Sequence, residues 1–284
     1  MPEKFIFCLV FLSQIILLSY YYPRRIMNRI KYVIETYPPS QYPKLYPRPL
    51  EYYERGIRIF RKLNIFILAI GALLLAMFIG DPTSDDWAGV IVGYFFIQFI
   101  PIILIEISSH KYYKLMREAN SDTIRKAQLQ PRRLFDVVSP MLLGTGLFVY
   151  ALFIVFIVYV KQFGYPWFGG YINILGITGV NLFMAAIIAW NLYGKKRDPH
   201  QAHEDRMSQT RLVATQLIYI SIAATIFVAV SIALSAFDLH HLKQFATSLY
   251  LQLIAVMSLQ TMRIDHINFE VYKADPLMSG EISA

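Results

Sequence analysis

A single cysteine, Cys8, stands among 284 residues, so no disulfide framework holds this chain together. Charge is scarce too, with only 16% of residues Asp, Glu, Lys or Arg against 56% hydrophobic. Catalytic signatures are missing. There is no Gly-x-Ser-x-Gly elbow, no His-Glu-x-x-His pair and no phosphate-cradling glycine loop. None of the six histidines falls inside a long apolar block, which excludes a haem carried between membrane helices by paired histidines. The same blocks lack the serine–histidine set, paired aspartates or metal ligands that intramembrane proteolysis would need. The last block has no lysine, which excludes a retinal Schiff base.

What is present is length without charge. Residues 140–160, 171–193 and 212–234 contain no Asp, Glu, Lys or Arg, and residues 63–80 and 87–105 are nearly as clear. Weaker blocks occupy 5–22 and 245–262, the latter carrying Gln252, Ser258 and Gln260. A run of about 18 residues or more is long enough to cross the hydrocarbon core as a helix. Seven such runs in a soluble fold would leave almost no amphipathic helices to cover them. The fold class expected is therefore all-α, a polytopic bundle of about seven spans. Residues 5–22 follow Lys4 but end on Tyr20, Tyr21 and Tyr22 before Pro23 rather than on a small-residue cleavage site, so they read as a retained first span.

The basic residues give the bundle a direction. Alternating the loops puts 24 of the 27 Lys and Arg on one side, leaving Lys4, Lys161 and Lys243 on the other. Retention of Lys and Arg in cytoplasmic loops makes the rich side the inside, with the N-terminus outside and the C-terminus cytoplasmic. The expected location is a bacterial inner (plasma) membrane. The expected partner of these charges is a bilayer with anionic headgroups. No basic soluble domain is present to bind nucleic acid.

The division expected along the chain is a first span at 1–22, a cytoplasmic segment at 23–64, and a six-span bundle at 65–284. That bundle reads as three hairpins, 63–105, 140–193 and 212–262, with a short cytoplasmic tail. In residues 23–49, Pro38, Pro39, Pro43, Pro47 and Pro49 alternate with Tyr37, Tyr42 and Tyr46, which argues for extended or turn backbone along the inner surface. Residues 49–64 carry Leu50, Tyr53, Ile57 and Phe60 on one helical face, the pattern of an interfacial amphipathic helix that turns into the second span. Asp198 followed by Pro199 reads as the cap and first turn of the helix leading into the sixth span. A basic or polar helical lead-in precedes each hairpin; convergence at the inner membrane face accounts for this at least as well as an internal repeat does.

Two sets of polar residues are candidates for function. His110, His200, His203 and His266 fall on the inner side near Glu106, Glu204, Asp205 and Asp265. On a helix, His200, His203 and Glu204 would share a face with metal-ligand spacing. Histidines that cap or pair locally explain the same residues. The second set is intramembrane: Gln98, Asn181 and Gln252 at depth, with Glu106 at the inner end of the third span facing Arg132 or Arg133. Neutral residues of this kind join helices, whereas an ion path needs buried charge.

The leading expectation is a non-catalytic membrane protein with no cofactor. It would bind or conduct a small or lipidic ligand, or support a membrane partner or a homo-oligomer. The first alternative is an enzyme with a cytoplasmic-face histidine and carboxylate metal site. The second is a seven-span sensor that acts through a separate partner.

Overall fold

A computed structural model describes residues 2–80, 87–119, 133–260 and 267–274. Every regular element among them is helical. Helix α1 (Pro2–Ile16) runs through a π turn (Leu17–Tyr21) directly into α2 (Tyr22–Thr36). The other long helices are α3 (Leu50–Gly80), α4 (Trp87–Ala119), α6 (Pro140–Lys161), α7 (Ile172–Tyr193), α8 (His203–Ala236) and α9 (His241–Gln260). The short α5 (Leu134–Val137) lies against α8.

Among the described residues six helices are long and apolar enough to cross a membrane, and α9 is not one of them. It nonetheless packs against α1, α4 and α8. The residues that lower its hydropathy include Ser248 and Gln252, both of which bond to α1. Helix α8 is the hub. It touches α6 and α7 on one side and α9 on the other, and α9 completes a group with α1, α3 and α4. The α1–α3–α4 core is built on Phe7, Phe11, Ile15, Ile67, Phe78, Trp87, Ile91 and Tyr94, and the α6–α7–α8 core on Phe153, Ile157, Val160, Ile177 and Ile232.

Two local expectations are corrected. Residues 22–36 are helix, not extended chain, because the prolines of this region are concentrated at 38–49. Pro23 alone interrupts, and it falls in the first turn after the π turn, whose wider ring relieves the clash that a proline makes inside an α-helix. No break separates an interfacial helix from a span, because α3 continues unbroken for 31 residues. No proline lies between Leu50 and Gly80 to stop it, and a solvated first half with an apolar second half needs no turn.

The lengths carry a further meaning. Helices α6 and α7 have 22 residues each, about 33 Å at about 1.5 Å per residue, close to one bilayer core of about 30 Å. Helices α3, α4 and α8 have 31, 33 and 34 residues, so each extends well beyond that thickness. The polar turns sit at the end of α2, the start of α3, the end of α4 and the start of α8. These four ends meet: Tyr46 of the 37–49 loop donates to the carbonyl of Tyr37, Tyr112 of α4 donates to the carbonyl of Leu45, and Arg197 before α8 pairs with Glu106 of α4. The surplus helix thus forms one basic cap.

Candidate functional site

The apolar interior of α1, α4 and α9 holds a closed set of amides and hydroxyls. Gln14 and Ser248 are fully buried, Gln98 is 2% exposed and Ser19 is 3% exposed. The Gln14 side-chain nitrogen donates to Gln98 Oε1 at 3.1 Å, and Gln14 Oε1 accepts from the Ser248 hydroxyl at 2.7 Å. Gln98 Nε2 donates in turn to Ser19 Oγ at 2.9 Å. Ser19 meets the Tyr94 hydroxyl at 3.2 Å, and Tyr94 donates to the carbonyl of Ile67 on α3 at 3.1 Å. On the other flank, Ser13 donates to Gln252 Oε1 at 3.0 Å, and Gln252 Nε2 donates to the Val10 carbonyl at 3.1 Å. Four helices are joined by groups whose partners are one another.

The π turn and Gly71 make this geometry possible. Ser19 lies within the π turn, where the extra residue per ring carries its hydroxyl toward α4. A Cβ at Gly71 would lie 2.1 Å from the Tyr94 hydroxyl oxygen, so glycine makes the room in which that hydroxyl reaches α3. Gln98 and Gln252, expected at depth, both belong to the set. Asn181 lies elsewhere, accepting from Ser221 of α8 at 2.6 Å and so tying α7 to the hub. Gln14, Ser19, Tyr94 and Ser248 escaped the sequence reading. The one available signal was that Gln14 and Ser19 are polar residues inside an otherwise apolar first block.

Glu106 pairs with Arg197 at 2.9 Å rather than with Arg133, the N-cap of α5, whose backbone N–H donates to Asp136. Arg132 lies outside the described residues. Both members of the Glu106 pair are more than half exposed, so the pair contributes at most about 1 kcal/mol.

The described candidate histidines come from different elements. His110 is exposed on α4, and His266 lies outside the described residues. Asp198 does not cap α8, and His200 is not on that helix, because α8 begins only at His203. The Asp198–Pro199 pair instead makes a tight turn in which Asp198 Oδ1 accepts the His200 backbone N–H at 2.8 Å. Among the described residues no three His, Cys, Asp or Glu side chains gather as a metal-ligand set.

Asp198 has a different role. It is buried, at 7% exposed, and its second oxygen accepts the hydroxyl of Tyr272 in a short bond. Tyr272 belongs to a 3-10 turn (Phe269–Tyr272) that folds back onto the basic cap. Phe269 stacks on Tyr37 at 4.2 Å, the Asn268 backbone N–H donates to Asp205 at 2.8 Å, and Tyr42, Met116, Phe269 and Tyr272 form a small core. Lys273 pairs with Glu270 at 2.5 Å, and Glu270 also accepts from Tyr42. The Lys273 bond holds the Glu270 carboxyl below its ordinary 4.5, and the same bond raises the Lys273 ammonium above 10.5. Burial first, and Asp198 second, push the Tyr272 hydroxyl above its ordinary 10.0.

The signs fix a pH window for docking of this tail. A lowered carboxyl stabilises above its unfolded value, and that contribution is lost as pH falls through the folded one. The raised Lys273 and Tyr272 stabilise below their unfolded values, and that contribution is lost as pH rises. The tail is therefore expected to stay docked between about pH 4.5 and about pH 10 and to loosen outside that range. Anisotropy of a dye on Ala274→Cys, in a Cys8→Ser background, reads this directly. A transition near neutrality would contradict it.

No protein-family model, no curated protein and no solved structure matches the chain. The residues described above are what its function must be read from.

Proposed function

We propose that this chain is a seven-span membrane protein with its N-terminus outside and its basic cap in the cytoplasm, which binds a lipidic ligand or a membrane partner and does not conduct solutes. Six long apolar helices fit an integral membrane protein. The seventh span of this reading is α9, whose Ser248 and Gln252 are turned inward onto α1. One observation carries the non-conducting part: the interior polar groups of Gln14, Gln98, Ser19 and Ser248 are spent on each other and almost wholly buried. A conduction path needs polar groups that face a wet lumen and exchange partners with the solute. A closed set of amides instead fixes how helices meet. The ordered cap, with its folded-back tail, offers the working surface, and a bacterial inner membrane is the proposed setting.

Reconstituted in liposomes, the protein is expected to give no flux of ions or small neutral solutes above that of empty vesicles. Saturable flux that disappears in a Gln14→Ala variant would overturn the reading.

A further inference from the structure

Where α1 passes into α2, a half-open groove of about 320 Å³ lies between this helix and α3. That is roughly the liquid volume of ten waters. The π turn contributes Ser19 and Tyr20 to its lining, and Pro23, Met27, Ile65 and Leu68 supply its apolar part. Three cations reach its rim: Arg24 and Lys31, two helical turns apart on α2, and Arg61 from α3. No Asp or Glu lines it. Among the described residues, neither Lys31 nor Arg61 is paired with a carboxylate. Arg24 spends one nitrogen on the Tyr20 hydroxyl at 2.5 Å, which aims the guanidinium without neutralising it.

We infer that this groove holds the phosphate headgroup of an anionic phospholipid, with Arg24, Lys31 and Arg61 as its ligands and the lipid chain lying along Met27, Ile65 and Leu68. Three uncompensated cations from two helices match a phosphate, and guanidinium groups present their donors in the fork that a phosphate accepts. The apolar lining distinguishes a lipid from free phosphate. A soluble anion has no use for Ile65 and Leu68, whereas an amphiphile covers both parts at once. The position agrees as well, because the groove lies where an apolar helix meets the basic cap, the level of the headgroups. This assignment rests on the binding role proposed above and names its ligand.

The test uses the full chain in neutral detergent with trace phosphatidylglycerol or phosphatidylcholine, and bound lipid counted by native mass spectrometry. Wild-type protein is expected to retain phosphatidylglycerol over phosphatidylcholine. Lys31→Gln/Arg61→Gln should lose about thirty-fold in that retention, at about five-fold for each basic residue. Lys62→Gln/Lys114→Gln removes the same charge from the cap outside the groove and should retain the lipid as wild type does. Circular dichroism confirms that both variants are folded. Equal loss in both variants would reduce the effect to diffuse charge and overturn the site. So would equal retention of the two lipids, or displacement of the lipid by inorganic phosphate in a wild-type preparation. None of these results bears on flux, so the non-conducting reading would survive them. Flux by wild-type protein would in turn sink that reading and leave the groove in place.

Discussion

Gln98→Leu is expected to lower the unfolding free energy in mixed micelles by about 2 kcal/mol, although leucine is the more apolar residue and fits the lipid interior better. The loss comes from what is left behind. Gln14 Nε2 loses its acceptor at a fully buried position, and Ser19 loses the donor that reached it from α4. An orphaned buried polar group costs about 1–3 kcal/mol, while hydrogen bonds between membrane helices are measured at about 0.6 kcal/mol on average because the unfolded chain finds other partners in the bilayer. The expected value lies between one strong orphan and two weak ones. The informative variant is the double one. Gln14→Leu/Gln98→Leu removes the donor together with the acceptor, and Ser248 can turn its hydroxyl back to its own helix carbonyl. The double variant should therefore be more stable than the sum of the single losses by about 1 kcal/mol, the mark of partners in one network. Strictly additive losses in a double-mutant cycle would mean that the two glutamines do not speak to each other, and the closed interior would fail with them.

This network also marks the limit of what the primary structure made legible. The helical class and the long apolar helices α6 and α7 follow from local composition: residues 140–160 and 171–193 become helices over Pro140–Lys161 and Ile172–Tyr193. Unbroken apolar composition needs no tertiary information to become a helix in a bilayer. Partnerships are different. Gln14 and Gln98 are 84 positions apart, Gln14 and Ser248 are 234 apart, and Glu106 finds Arg197 across 91. No local period carries those distances. The weakness of the first and last blocks came from the same source. Gln14, Ser19, Ser248 and Gln252 dilute hydropathy because they face one another, so the residues that made α1 and α9 hard to read are those that join them. The cap departs from its sequence pattern for a converse reason. Prolines at 38–49 do not govern everything from residue 23, because each acts only on its own turn and on the residue before it. Asp198 before Pro199 looked like a helix start, and the same short side chain served a turn several residues upstream of the helix.

At that turn the second large effect is expected. Asp198→Ala should release the tail from the cap, raising backbone hydrogen exchange across 267–274 by roughly thirty-fold to a hundredfold, which corresponds to about 2–3 kcal/mol of local opening. The carboxylate does two jobs at once. It accepts the hydroxyl of Tyr272, a side chain only 4% exposed, and it accepts the His200 backbone N–H that shapes the 194–202 turn. It is also the anion beside Lys196, whose ammonium burial lowers from its ordinary 10.5 and which Asp198 draws back up. Alanine leaves the tyrosine hydroxyl without its acceptor and the lysine without its counter-charge. Tyr272→Phe should cost less, about 1–2 kcal/mol, because Asp198 keeps the His200 bond when the hydroxyl is gone. Asp198→Asn should fall between wild type and alanine, since an amide oxygen still accepts but carries no charge. The Gln14–Gln98 interior shares no partner with this turn, so exchange in α1 and α4 around those glutamines should stay as it is in wild type. Exchange that rose equally in both places would mean that cap and interior open as one unit. Exchange unchanged in the tail would mean that Phe269 stacked on Tyr37 holds it without Asp198, and the carboxylate would lose the role given to it here.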